Sequence, residues 1–143
     1  MALAALSVTL AVGSCQAPAR TYPAFEADAV ATAEGAQSAV ETALLAAQTA
    51  AKGNAFANYL SPALGDAEDT AGAVQASFDL EQPPNHAADE LRAQLDDILS
   101  RAGDVLMQLR IHVRRGEIDR LEAIAQPLEK VSSDLDDFIK AHE

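Results

Sequence analysis

The stretch from Gln82 to Gly116 reads QPPNHAADELRAQLDDILSRAGDVLMQLRIHVRRG, and it decides the fold. It opens on Pro83-Pro84, which remove two backbone donors and push the residue before each out of helical geometry. Asn85 follows as an N-cap, with Asp89 and Glu90 where a helix N-terminus favours anions. Apolar residues then recur at Leu91, Leu95, Ile98, Ala102, Val105 and Leu109, with His112 next, in alternating steps of four and three. That spacing draws a single stripe along one face of a helix. Arg114-Arg115-Gly116 ends it, with cations on the last carbonyls and then a residue suited to a left-handed cap.

The same grammar extends outward on both sides. Upstream, Pro23 suits a first helical turn, and Val30, Ala33, Ala36, Val40, Leu44, Ala47 and Ala51 continue a stripe that Lys52-Gly53-Asn54 closes. The spacing predicts a helix from Pro23 to Lys52 with an inner face made mostly of alanine. Next comes Ser61-Pro62, yet the apolar steps continue through it at Leu60, Leu64, Ala67, Ala71, Val74 and Phe78. Ser before Pro reads as a helix start, so the second helix either begins at Ser61 after a short helical turn, the favoured reading, or begins near Ala55 and kinks at Pro62. Asp79 and Glu81 at its end oppose the helix dipole. Downstream, Ile118, Leu121, Ala125, Leu128, Leu135 and Ile139 form a fourth stripe, opened by Glu117 and Asp119 and containing Pro127. Gly116 alone is expected to join helices three and four. Links this short force antiparallel neighbours, and stripes at three-four spacing call for knobs-into-holes packing. The expected fold is all-α: an antiparallel up-down four-helix bundle over 23–143, with Leu64, Val74, Phe78, Leu95, Ile98, Leu109, Leu121, Leu128 and Leu135 in its core.

Composition agrees. Hydrophobic residues are 49% and charged residues 22%, a globular balance over 143 residues, enough for one domain. Alanine makes up about a fifth of the chain, far above average usage; aromatics are only 4%, and an all-β fold is not expected on this count. Acids outnumber bases 22 to 10, a net charge of −12. A nucleic-acid partner, which requires a basic surface, is not expected.

The leading segment has a different character. Ala2 to Gly13 reads ALAALSVTLAVG, uncharged and too short to span a bilayer, which takes roughly 20 apolar residues. It has the length of the apolar core of a signal peptide. Val12-Gly13-Ser14-Cys15 follows, and this apolar-small-small-Cys run resembles the lipobox of bacterial lipoproteins. The resemblance covers the leading segment; the body is similar to small helical lipoproteins of high-GC bacteria that have no assigned role. Membership implies cleavage between Ser14 and Cys15 and a diacylglycerol thioether on Cys15. It also implies a membrane attached through that lipid, on the periplasmic or extracellular side of the cell envelope. Residues 1–14 are then the signal and 15–22 a tether carrying Gln16-Ala17-Pro18-Ala19. Signals of that family open with Lys or Arg, whereas the first basic residue here is Arg20, so a start upstream of Met1 is expected. Gln16 is not the aspartate that holds enterobacterial lipoproteins at the inner membrane, which leaves an outer-membrane destination open. Cys15 is the only cysteine, so an internal disulfide is excluded.

Nothing in the sequence assembles a catalytic constellation. Glu-x-x-His, the signature of di-iron bundles, is absent, as are Cys-x-x-Cys-His and the glycine-rich phosphate loops. Ser132-Ser133-Asp134 has no histidine beside it. Asp96-Asp97 and Asp136-Asp137 diverge by about 100° on a helix and read as solvated acidic faces. His112 falls on a core stripe and is expected partly buried or serving the helix end; Met107 reads as core filler. No enzyme activity, metal or cofactor is expected. The one concentrated feature is Arg110, Arg114 and Arg115 with His112. Dipole compensation and pairing with Glu117 and Asp119 would account for it; as a site, it is a basic spot for an anionic protein partner. The sequence thus points to a lipid-anchored envelope protein that binds a protein partner or supports envelope structure. The alternative is a bundle that holds a small ligand between its helices.

Overall fold

A computed structural model describes residues 21–143, apart from the side chain of Ala57. Four helices follow one another: α1 (Tyr22–Ala51), α2 (Ala57–Asp79), α3 (His86–Arg114) and α4 (Leu121–His142), with a 3₁₀ turn at Ile118–Arg120 before the last. No strand occurs among the described residues. The chain is an all-α four-helix bundle. Contacts tie opposite helix ends together throughout: Phe25 near the start of α1 meets Phe78 near the end of α2, and Glu26 meets His142 at the end of α4. Neighbours in sequence are therefore antiparallel. One end of the bundle carries the start of α1, the α2–α3 link and the end of α4, and is called here the entry end. The far end carries the α1–α2 and α3–α4 links.

The caps follow the local chemistry. The Asn85 side chain accepts a hydrogen bond from the Ala88 amide at 3.0 Å. α1 and α3 close alike, with Gly53 at φ 70° and Gly116 at φ 73° in the left-handed region. The next amides, of Asn54 and Glu117, reach back to the Thr49 and His112 carbonyls at 3.1 and 3.0 Å, which satisfies otherwise orphaned acceptors.

Two boundaries differ from expectation. α2 starts at Ala57 rather than at the favoured Ser61 and runs through Pro62, close to the second alternative. The reason is tertiary: Leu60 is fully buried, which anchors the turn before the proline. The carbonyl that Pro62 cannot serve belongs to exposed Asn58, where water can take its place. α4 starts at Leu121, and Arg115 to Arg120, not Gly116 alone, make the connection. A chain that reverses between two packed helices needs the extra 3₁₀ turn to cross the roughly 8–10 Å between their axes.

Of the expected core, Leu64, Phe78, Leu95, Ile98, Leu109, Leu121, Leu128 and Leu135 are buried. Val74 is only partly buried, because it lies at the α1–α2 seam, facing Gly35, rather than in the centre. α1 contacts α2 and α4 as neighbours and α3 across the diagonal, while α2 and α4 make no comparable contact. Eight of the eleven buried residues of α1 are alanine, and that small-residue face is what lets three helices approach one.

Candidate functional site

The conflict at the end of α2 is resolved by α3. Arg92, in the second turn of α3, donates from Nη2 to the Phe78 carbonyl at 3.2 Å. Its guanidinium lies 5.6 Å from the Phe25 ring centre and 5.4 Å from that of Phe78, two rings themselves 5.2 Å apart. One cation thus serves a helix C-terminus and two aromatic faces. Asp96 lies one turn further on. Burial, then the charge of Asp79, push its carboxyl above the ordinary value, against the pull of Arg92. At the same entry end Glu26 accepts from the Tyr22 hydroxyl at 3.3 Å and meets His142 Nδ1 at 3.0 Å, which ties the C-terminus to the start of α1.

A groove runs between α3 and α4. One part, of about 550 Å³, is lined by Ile98, Phe138, His142 and acidic neighbours; the next, of about 400 Å³, by Val105, Pro127 and Val131. Arg101 borders both, donating to Asp134 at 2.7 Å and to Asp97 at 3.1 Å. Lys130 joins at 2.9 Å from Asp134. Hydrogen bonds from Lys130 and Arg101 hold the Asp134 carboxyl below its ordinary value. These recesses lie at the bundle surface.

The arginine cluster divides. Arg110 leaves it: its guanidinium grips Glu68 of α2 with Nε and Nη2, the latter at 3.1 Å, and forms an interhelical fork rather than a free cation. Glu117 is taken by His112 and lies 3.7 Å from Arg120. The expected pairing across the turn is thus met at Glu117 by His112, while none of the three arginines of the cluster pairs with Glu117 or Asp119. Arg114 and Arg115 are exposed and make no ion pair among the described residues; exposed Lys52, on the other far-end link, behaves the same way.

The far end also carries side chains that the stripes did not select as a site. Phe56 is 80% exposed, Tyr59 64%, Leu45 65% and Met107 41%, each within about two helical turns of that end. Met107 is thus not core filler, since it points off the Leu106–Leu109 stripe. The signal was present in the sequence, as apolar residues off the three-four spacing, but such residues are ordinary singly and notable only when gathered. His112 is partly buried and turned to Glu117. Among the described residues no group of three or more His, Cys, Asp or Glu side chains is arranged to hold a metal ion, and no helix is long and apolar enough to cross a membrane. Cys15 lies outside the described residues. Compared with protein families, curated proteins and solved structures, the chain finds no match in any of the three.

Proposed function

We propose that this chain is a lipid-anchored protein of the bacterial cell envelope, without enzymatic activity, that works by binding a protein partner. The observation that carries the reading is Cys15, the only thiol, behind an uncharged apolar run and the small residues Gly13 and Ser14. Acyl chains there attach the protein to the periplasmic or extracellular face of a membrane, and two or more chains give stable attachment where one gives reversible binding. The body supports this arrangement. α1 begins at Tyr22, so the tether can span at most roughly 25 Å. Such a tether holds the entry end near the lipid, and the 30 residues of α1 let the far end reach up to about 45 Å further out. A net charge of −12 keeps the bundle off anionic headgroups.

The test is metabolic labelling with a radioactive fatty acid in a bacterium, followed by mass spectrometry of the N-terminus. Label on Cys15 and loss of residues 1–14 are expected, and Cys15→Ser should abolish both and leave the longer precursor. A free thiol on an uncleaved chain would overturn the reading. A second reading, a small-ligand carrier, has the α3–α4 groove in its favour, with apolar Ile98, Val105, Val131 and Phe138 beside Arg101. A thermal-shift screen that raises Tm only when Val105 and Val131 are intact would favour it.

A further inference from the structure

We infer that the far end of the bundle is a docking tip for an acidic protein segment, whose carboxylates meet Arg114, Arg115 and Lys52 and whose apolar side chains meet Phe56, Tyr59 and Met107. The inference rests on the partner-binding reading above and gives that partner a chemistry and a place. Two independent observations converge on this end. Four of the five large hydrophobic side chains that the described bundle exposes are here; Leu80, at the entry end, is the exception. Among the described residues, every other Lys or Arg is engaged: Arg92 with a carbonyl and two rings, and Arg101, Arg110, Arg120, Lys130 and Lys140 with carboxylates. The three whose side chains make no such contact all lie at the far end, Lys52 and Arg115 on its two links and Arg114 in the last turn of α3.

Aromatic, methionine and arginine side chains are the types that carry binding energy at protein interfaces. Their chemistry here selects the partner's sign. The protein as a whole carries −12, so an acidic surface is repelled by most of the bundle and attracted only where unpaired cations stand. Approach is therefore end-on, at the point farthest from the entry of the chain. Three free cations on so acidic a body are too few for a nucleic-acid backbone.

The full-length chain, purified in neutral detergent, is titrated with a fluorescein-labelled peptide of glutamate, leucine and serine, and with its lysine-for-glutamate counterpart, by fluorescence anisotropy. The acidic peptide should bind and the basic one should not, with affinity falling as salt screens the exposed charges. Arg114→Glu with Arg115→Glu should weaken binding by about tenfold or more. Tyr59→Ser with Phe56→Ser should weaken it by roughly fivefold or more at unchanged salt dependence. Leu80→Ser, at the other end, should leave it unchanged. Because acids at a helix C-terminus oppose the dipole, Arg114→Gln with Arg115→Gln is the milder check, and circular dichroism confirms the fold of each variant. Equal binding of both peptides, or indifference to the arginine changes, overturns the inference. So does binding to phosphatidylglycerol vesicles in place of the peptide, which would make the tip a lipid contact. Self-association in sedimentation that the arginine reversals abolish would also overturn it, since a second copy would then be the occupant. The assay needs no acylation. Peptide binding without label on Cys15 sinks the anchor alone, and labelled Cys15 without peptide binding sinks the tip alone.

Discussion

α1 and α4 lie side by side and build the same core from opposite materials. α1 buries Phe25 and Val40 among eight alanines, whereas α4 buries Leu121, Leu128, Val131, Leu135, Phe138 and Ile139 with a single alanine. An alanine face removes little apolar area from water per residue, so α1 adds less burial for each turn. It brings proximity instead, since short side chains let α2, α4 and the diagonal α3 all reach it. α4 supplies the volume that fills the space so enclosed. Fold stability should therefore respond to loss of volume on α4 and to gain of volume on α1.

The largest effect should come from Leu128→Ala. The side chain is fully buried, and truncation leaves a cavity costing about 2–5 kcal/mol in urea or guanidinium unfolding. A loss under about 0.5 kcal/mol would mean that α4 is not the source of volume. The converse change, Ala36→Leu, meets a fully buried site with no room and should cost about 1–3 kcal/mol. Neutrality there would show the alanine face to be loosely packed.

A finer probe is the α1–α2 seam. A Cβ on Gly35 would stand 3.0 Å from Val74 Cγ1, so a helix-favouring substitution collides with a partly buried valine. Gly35→Ala should stabilise a Val74→Ala background by up to about 1 kcal/mol through helix propensity. It should help the wild type less. A double-mutant cycle reads the difference, and a coupling near zero would mean that the valine simply turns away.

The smallest effects concern the polar edges of α3 and α4, and their signs oppose. Asp134 is held below its ordinary value by Lys130 and Arg101. Its folded form therefore favours the charge. The resulting stability is full above the unfolded carboxylate value near about 4, and it is lost as pH falls through the folded value. Asp134→Asn should cost about 0.2–1 kcal/mol at pH 7 and nothing in strong acid. Asp96 is pushed up by burial, so its folded form disfavours the charge. Asp96→Asn should stabilise slightly at neutral pH, and the gain should vanish as pH falls to the ordinary carboxylate range. Unfolding curves of both variants at neutral pH and near pH 3 check the pair, and parallel shifts would refute it.

Helix number, order and most cores were legible because each helix carries its own punctuation. Pro83-Pro84, the Asn85 cap, Gly53 and Gly116 act over three or four residues, which a reader of the chain can see directly. The N-terminus of α2 was legible only as two alternatives, a start at Ser61 or one near Ala55. Ser61-Pro62 is a sound local start, and only the burial of Leu60, a long-range fact, moves the helix back to Ala57. The candidate site was half legible. Arg114 and Arg115 were visible as a cluster, but nothing local says that Arg110, one turn before Arg114, reaches Glu68, 42 residues away.

By itself the sequence determined that the body is four antiparallel helices, because periodicity and capping are local and short links leave no other path. It also carries the grounds for expecting an anchor at Cys15, since the lipobox resemblance lies in four adjacent residues. Only the tertiary structure decided which cations stay free and which apolar side chains stay wet. Both depend on what another helix brings within a few ångströms: Glu68 removes Arg110 from the basic spot, and Phe78 places Arg92 at a helix end. Phe56 stays wet on the α1–α2 link, and Tyr59 and Met107 stay wet near the same end because they point away from the buried stripes of α2 and α3.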